Sequence, residues 1–252
     1  MWSPNQYEKF KSQRARPFYD LLDLVQPGEL RSAVDLGCGT GELTRELPSR
    51  LRLREVLGID SSPEMLARSA PWARPGLRFE RCDIADFAPA APLDLVFSNA
   101  ALQWVPDHES LLPRVLGWVA PGGQVALQIP ANDEHPSHRI ARETARRLFP
   151  GVFAGDGRVI RALPVERYAE ILFANGFPVP LCRVQVYPDV LPSGSDVVEW
   201  TRGTLLTAYQ ARLSEADFAR FLEAYRRELL SVIGEGPYLF AFKRILIWGR
   251  KH

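Results

Sequence analysis

Val34-Asp35-Leu36-Gly37-Cys38-Gly39-Thr40-Gly41 is the stretch on which the reading of the fold turns. An apolar run ends in an acidic residue, and glycines follow at every second position. Twenty-three residues after Gly37 a second apolar run, Val56-Leu57-Gly58-Ile59, ends in Asp60. The pairing predicts a nucleotide-type cofactor lying across the carboxyl ends of two adjacent parallel strands. Glycines let the backbone approach a ligand where a Cβ would collide. A carboxylate at the tip of the second strand can accept two hydrogen bonds from a ribose diol.

The position of the last glycine narrows the class. A dinucleotide fingerprint is Gly-x-Gly-x-x-Gly, and counted from Gly37 its third glycine falls on Glu42. A glutamate there opposes a pyrophosphate, which needs a bare helix N-terminus. A phosphate loop is excluded because no Gly-Lys-Ser/Thr follows the glycines.

Composition removes other classes. The chain has 252 residues, enough for one large domain or one domain plus an insertion. Its 46% hydrophobic and 24% charged content is that of a globular protein, and a net charge of +1 gives no bulk field to recruit nucleic acid or membrane. Cys38, Cys82 and Cys182 are far apart and odd in number. They form neither a metal spacing nor a disulfide framework, so a reducing cytoplasm is the expected location. Met1-Trp2-Ser3-Pro4-Asn5-Gln6-Tyr7-Glu8-Lys9 has no apolar core like that of a signal peptide, and no apolar run approaches membrane-spanning length. His135 and His138 could share a metal, but no third ligand accompanies them. A loop or helix-start role is the plainer reading, and no metal is expected.

Periodicity lays out the elements. Residues 5–26 read as a helix with Arg14-Ala15-Arg16-Pro17 as a kink or a break. Strands are expected at 32–36, 55–60, 77–81, 93–97, 124–129, 181–187 and 243–249. Helices are expected at 41–50, from Ser62-Pro63-Glu64 onward, at 108–119 (stopped by Pro121-Gly122-Gly123), at 137–148 and at 165–175. A helical insertion follows at 195–233; its second helix opens with Ser214 and buries Phe218, Phe221, Leu222, Tyr225 and Leu229. Strands alternating with helices imply an α/β fold: a doubly wound, mostly parallel seven-stranded sheet with helices on both faces and a helical lid insertion. One domain is expected over 1–252, with its core at about 30–190 and 237–252 and its lid at 1–20 and 191–236.

Gly-x-Gly-x-Gly after an acidic residue resembles motif I of the S-adenosylmethionine methyltransferases. Asp60-Ser61-Ser62-Pro63-Glu64-Met65-Leu66, Cys82-Asp83-Ile84 and the run Asp94 to His108 join it, so that residues 30–130 look like a Rossmann-type member. Over nearly its full length the chain is similar to a narrower family, trans-aconitate 2-methyltransferase. The resembling pieces are Trp2-Ser3-Pro4-Asn5-Gln6-Tyr7, Arg14-Ala15-Arg16-Pro17, Gln103-Trp104-Val105-Pro106-Asp107-His108, Gln128-Ile129-Pro130-Ala131-Asn132, Pro136-Ser137-His138, Val198-Glu199-Trp200 and Phe242-Lys243-Arg244. It departs at Gly203-Thr204-Leu205-Leu206-Thr207-Ala208, where Thr207 replaces an arginine of the family pattern. The 195–230 stretch holds five arginines against six acidic residues, so it is no cationic funnel.

The resemblance implies S-adenosylmethionine as cofactor, S-adenosylhomocysteine as product and a small anionic acid as acceptor. It implies that Asp60 holds the ribose, that Asp83 and the Ile84 N–H meet the adenine, and that Met65 packs on it. Asp35, Gly37 and Asn99 meet the methionyl ammonium. Tyr7, Arg14, Cys38, Gly39, Gly41, Ser61, Ala100 and Trp104 complete the cofactor set. Rival tasks stand beside these: Met65 as core, Asp83 as a turn cap, Trp104 as a plug. Trp2, His138, Trp200, Tyr209 and Arg244 are the acceptor-site candidates, with a structural ion pair the rival for Arg244. A carboxylate nucleophile, with an ordinary pKa of about 4, needs no general base, so no catalytic side chain is expected and alignment carries the rate. Two alternatives remain. One is a malonyl-carrier-protein O-methyltransferase, for which Arg139, Arg142, Arg146 and Arg147 would be a docking rather than a solvated face. The other is a non-catalytic S-adenosylmethionine-binding assembly factor.

Overall fold

The first three strands occupy the residues expected of them, and the remainder of the sheet is longer than its apolar runs. The computed structural model describes residues 11–154 and 162–252, with the backbone alone for residues 11–14. Elements follow in the order α1 (Lys11–Leu22), β1 (Ser32–Leu36), α2 (Leu47–Leu51), β2 (Glu55–Asp60), α3 (Pro63–Ser69), β3 (Leu77–Arg81), β4 (Leu93–Asn99), α4 (His108–Gly117), β5 (Val119–Pro130), α5 (Pro136–Leu148), α6 (Pro150–Phe153), α7 (Val165–Ala174), β6 (Leu181–Leu191), α8 (Gly194–Arg202), α9 (Thr207–Gln210), α10 (Glu215–Ile233) and β7 (Tyr238–Arg250). The sheet order is β3-β2-β1-β4-β5-β7-β6. Strands β1 to β5 pair in parallel and β7 runs antiparallel to β5. The chain winds outward from β1 in one direction and from β4 in the other, so the crevice at the carboxyl ends of these two strands is the switch point.

The chain forms two compact units. One comprises Ala15–Pro130, Ile160–Gln185 and Arg244–His252 and contains the parallel strands. On one face of its sheet Ala33, Val56, Leu77, Leu95, Phe97, Ala126 and Leu246 pack with Phe18, Leu21 and Leu22 of α1 and with Leu47 of α2. Phe18 and Phe97 meet edge to face at 5.4 Å. The opposite face buries Val34, Leu36, Val96, Val125 and Leu127, with α4 packed on β5 and α7 packed on α4.

The other unit comprises Met1–Arg14, Ala131–Val159 and Val186–Lys243. Its core gathers Ile140, Trp200, Phe218, Phe221, Tyr225, Phe240 and Phe242. Ser214 accepts from the Asp217 N–H and opens α10, which buries Phe218, Phe221, Ala224, Tyr225 and Leu229. Leu222 is half-buried, with Ala224 on the inner face. A capping box between Ser193 and Asp196 opens α8.

Several boundaries differ from the sequence reading. Helix α1 ends at Leu22 because the chain is diverted to Gln124, whose Oε1 accepts from the Gln26 N–H at 2.8 Å and whose Nε2 donates to the Gln26 carbonyl at 2.9 Å. The helix expected at 41–50 splits into a 3-10 turn, Thr44–Glu46, and α2, since Thr44 turns its hydroxyl to Asp35 and Pro48 restarts the winding. Pro121-Gly122-Gly123 does not stop α4; α4 ends at Gly117 and the three residues sit inside β5 as a bulge, where pairing with β4 jumps from Leu93–Val119 to Leu95–Gln124. Strands β6 and β7 outrun their apolar runs because alternating side chains stay partly exposed.

A buried polar chain locks the segment after β4. Nε2 of His108 lies 2.9 Å from the Leu102 carbonyl, which can only accept, so Nε2 carries the proton. Nδ1 then accepts from the Tyr168 hydroxyl at 2.8 Å, and that oxygen accepts from the Leu163 N–H at 3.0 Å. Replacing Tyr168 by Phe strands the buried His108 nitrogen and takes the partner from the half-buried Leu163 N–H, and a stranded buried group costs about 1–3 kcal/mol. Urea denaturation of Tyr168→Phe is expected to show a midpoint lowered by roughly 2–3 kcal/mol equivalent at unchanged slope. An unshifted midpoint would show that the chain is not stabilising.

Candidate functional site

The register places a row of polar side chains on one face of the sheet at its carboxyl edge. Asp35 on β1 pairs with Gly58 on β2 and with Phe97 on β4. Two residues further on, and so on the same face, stand Asp60 and Asn99. Asn99 pairs with Gln128 on β5, and Pro130 pairs with Arg244 on β7. The row therefore runs Asp60, Asp35, Asn99, Gln128, Arg244, all within one unit.

The glycine turn is held on the Asp60 side. Gly37 and Cys38 both donate to the Ile59 carbonyl, at 2.8 and 2.9 Å, and Gly41 donates to the Cys38 carbonyl at 3.0 Å. Gly37, Gly39 and Gly41 have φ of +74°, +57° and +69°, a region that L side chains rarely adopt. A Cβ on Gly37 would sit 2.2 Å from the Ala101 Cβ, and one on Gly41 2.7 Å from the Phe79 ring. Gly39 faces open space. Two of the three glycines thus answer to close protein packing, and only the middle one leaves a bare approach. The Asp60 carboxylate accepts from the Gly39 N–H through Oδ2 and from the Ser62 N–H through Oδ1, each at 2.9 Å. Each oxygen keeps a further lone pair.

Asp35 is fully buried and accepts from the Thr44 hydroxyl at 2.6 Å. Burial raises its carboxyl to about 7, the Thr44 bond pulls the other way, and the nearby Asp60 charge adds to the rise. Burial, together with Asp35 and Asp60, pushes the Cys38 thiol well above its ordinary range, so it stays a thiol. Ser62 caps α3 by accepting from the Met65 N–H at 3.3 Å; Ser61 is exposed and Met65 half-buried. Asp83 caps its own turn, with Oδ1 accepting from the Ala85 N–H at 2.8 Å. Arg114 holds the Ile84 carbonyl at 3.0 Å.

After β4, Ala100 takes φ +56° and donates to the Gln128 carbonyl at 3.0 Å. Gln103 donates from Nε2 to the Ala100 carbonyl at 2.6 Å. Trp104 is 55% exposed and is no core plug. Among the described residues, four buried side-chain atoms have no hydrogen-bond partner: Asn99 Oδ1, Gln103 Oε1, and both amide atoms of Gln128. Gln103 and Gln128 were not among the sequence candidates. Their signal was a glutamine inside the apolar run Val125-Ala126-Leu127-Gln128-Ile129, and another just past the β4 tip.

The remaining acceptor-site candidates, His138, Trp200 and Tyr209, belong to the second unit. Trp200 is 5% exposed and packs edge-on to Phe240 at 5.4 Å. Tyr209 stacks on Phe221 at 5.0 Å. Ser137 Oγ lies 2.8 Å from His135 Nδ1 and 3.1 Å from His138 Nδ1, and His135 Nε2 meets the Tyr238 hydroxyl at 3.1 Å. Burial and the Lys243 charge lower His135 to about 4, so it caps α5 as a neutral ring. Trp2 and Tyr7 lie outside the described residues, and Arg14 is described by its backbone alone.

This donor set suits a cationic amino-acid ligand carrying a ribose. A desolvated carboxylate and unpartnered amide oxygens call for an N–H donor with positive charge, while Asp60 presents acceptors beside an uncovered glycine. The fold and this edge define an S-adenosylmethionine-dependent methyltransferase, and a methyltransferase domain model matches residues 33–123. The YcgJ protein from Bacillus subtilis has a similar fold, with a TM-score of 0.64 at 16% identity over 94% of this chain and 98% of that one. The trans-aconitate 2-methyltransferase of Deinococcus radiodurans is 44% identical over 97% of this chain and 96% of its own length. That of Azoarcus sp. (strain BH72) is 39% identical over 98% and 97%. The chain belongs to the trans-aconitate 2-methyltransferase family.

The buried Asp35 gives a pH signature. Below pH 4 its carboxyl is protonated in folded and unfolded chains alike. Between about 4 and 7 the unfolded chain ionises while the folded one holds its proton, so the folded state loses ground as pH rises. Above 7 the full cost of a buried anion is present. Asp35→Asn retains an acceptor for Thr44 and lacks this term. Its stability relative to the parent is expected to improve by roughly 2–3 kcal/mol from pH 5 to pH 8, read by urea denaturation of both proteins. Parallel pH profiles would refute the assignment.

Proposed function

We propose that this enzyme transfers a methyl group from S-adenosylmethionine to one carboxylate of trans-aconitate, forming a monomethyl ester. The observation that carries the reading is the 44% identity, over 97% of the chain, to a relative of that name. When bound, S-adenosylmethionine supplies an electrophilic methyl on a sulfonium. The chain's own residues bind, orient and exclude water. Asp60, already fixed by Gly39 and Ser62, offers its remaining lone pairs to the ribose hydroxyls. Asp83 and the Ile84 N–H take the adenine edge, with Met65 against the ring. Asp35 and Asn99 Oδ1 take the methionyl ammonium beside Gly37. Tyr7, Arg14, Cys38, Gly41, Ser61, Ala100 and Trp104 complete this set.

For the acceptor we assign Arg244 at the end of the polar row; Trp2, His138, Trp200 and Tyr209 are the acceptor candidates that the resemblance adds. The acceptor carboxylate is ionised near neutrality, so no residue need take its proton and alignment supplies the acceleration. The arginine face on α5 favours a small acid over an acidic carrier protein. Arg139 pairs with Glu143 at 3.1 Å, Arg147 with Glu228, and Arg142 donates to the Asp133 carbonyl at 3.3 Å. Thr207, the departure from the family pattern, spends its hydroxyl on the Thr204 carbonyl at 2.6 Å at the start of α9. No helix among the described residues is long and apolar enough to cross a membrane. Three free cysteines agree with the cytoplasm as the working compartment.

Incubation with S-adenosylmethionine and trans-aconitate is expected to yield the monomethyl ester over many turnovers, read by mass spectrometry. Asp60→Ala should weaken S-adenosylhomocysteine binding by about a hundredfold or more in calorimetry, the loss of two hydrogen bonds to a charged acceptor. An enzyme that esterifies no small di- or tricarboxylate would sink the assignment of acceptor. Unchanged binding by Asp60→Ala would sink the ribose role of Asp60.

A further inference from the structure

Gln128 is 0% exposed, and neither Oε1 nor Nε2 has a hydrogen-bond partner among the described residues. A buried amide left without bonds destabilises the fold by a few kcal/mol, and nearly every such group in a folded protein is satisfied. Gln124, four positions earlier on the same strand and equally buried, shows the usual outcome. Gln124 Oε1 accepts from Gln26 and from the Trp248 indole at 2.8 Å, and Nε2 donates to Gln26. The difference lies in position. Gln124 lies at the amino end of the run, and Gln128 at the carboxyl edge beside Asn99, whose Oδ1 is also unpartnered. Along the polar row Gln128 stands between the residues assigned to the cofactor's ammonium and Arg244, assigned to the acceptor.

Resting on the proposed reading of this site, we propose that Gln128 bridges the two ligands. Its Oε1 accepts from the methionyl ammonium alongside Asn99 Oδ1, and its Nε2–H donates to the acceptor carboxylate. Nε2 is the one buried, unpartnered donor on this face among the described residues, and an ionised carboxylate is a partner that can only accept. The side chain thus holds nucleophile and methyl donor in one frame. It is a positioning and specificity residue that touches both ligands and exchanges no proton.

Two substitutions separate the two bonds. Gln128→Met keeps length and removes both polar atoms. It is expected to raise the KM for trans-aconitate about tenfold to a hundredfold, to weaken S-adenosylhomocysteine binding several-fold in calorimetry, and to leave the thermal midpoint of the ligand-free protein equal or higher, because an unsatisfied amide has gone. Gln128→Glu keeps an acceptor for the ammonium but replaces the donor with a negative charge. It should bind S-adenosylhomocysteine within about twofold of the parent and raise the trans-aconitate KM beyond the methionine variant. A parent-like KM in Gln128→Glu overturns the carboxylate bond. Parent-like S-adenosylhomocysteine affinity in Gln128→Met overturns the ammonium bond. A lowered midpoint in Gln128→Met with unchanged ligand parameters makes the residue structural and overturns the bridge. If the parent enzyme does not esterify trans-aconitate, the proposed acceptor fails by itself. The S-adenosylhomocysteine and stability arms still decide the ammonium half, which parent-like affinity in Gln128→Met overturns.

Discussion

The Asp60 carboxylate ties together three pieces of chain that would otherwise be independent. It ends β2, holds the middle glycine of the β1 turn through the Gly39 N–H, and holds the start of α3 through the Ser62 N–H. Each bond is to an ionised acceptor and so is stronger than a neutral pair. The consequence is geometric. A loop with three successive positive-φ glycines has many conformations open to it, and this anchor selects one. The Ile59 carbonyl, taking both the Gly37 and Cys38 N–H groups, closes the same turn from the backbone side. The residue expected to hold the ribose is thus also the residue that shapes the floor on which the cofactor would lie, which is why its loss cannot be a pure binding change.

The cost of this arrangement is concentrated along one sheet face. Asp35 is buried with a single hydroxyl partner, Asn99, Gln103 and Gln128 carry bare amide atoms, and Ala100 occupies a left-handed conformation at the tip of β4. Each is unfavourable by an amount of order 1–3 kcal/mol. The bare amide atoms among the described residues lie toward the switch-point edge, whereas at the amino edge Asp94 accepts from the Arg31 and Ser32 N–H groups and the Ser32 hydroxyl, and both amide atoms of Gln124 are bonded. A fold that satisfies its polar groups at one edge and leaves them unsatisfied at the other is stable enough to hold the second edge ready for ligand donors. Apolar packing of Phe18, Phe97 and their neighbours beneath the site supports that strain.

Most of the architecture was legible because it rests on local rules: apolar runs of strand length, a serine before Pro63, a serine opening α10. What was not legible depended on partners distant in sequence. The helix expected at 41–50 lost its first turn to a bond between Thr44 and Asp35, and α1 stopped where Gln26 met Gln124, 98 positions away. Pro121-Gly122-Gly123 carried the expected punctuation, yet tertiary pairing made it a bulge within β5. The glycines were rightly read as a special turn, but the reason for two of them is Ala101 and Phe79, which no spacing rule brings to mind. Gln128 carries no such spacing signal, because a single polar residue in a buried strand reads as tolerated noise until its register beside Asn99 is known.

The identity of the side chain at that register can be argued from charge. An arginine there would bind the acceptor well, but it would stand beside the ammonium and sulfonium of the donor and repel both. A carboxylate would welcome the donor and repel the acceptor. In a dry site either repulsion is large, since the interaction energy rises as the effective dielectric falls. A neutral amide offers one oxygen and one N–H group at fixed separation and repels neither ligand. The same reasoning places the formal charges at the two ends of the row, Asp60 and Asp35 on one side and Arg244 on the other, with uncharged Asn99 and Gln128 between them. On the proposed reading, a gradient from anionic to cationic along a single sheet edge would order a cationic donor and an anionic acceptor side by side without a proton being moved.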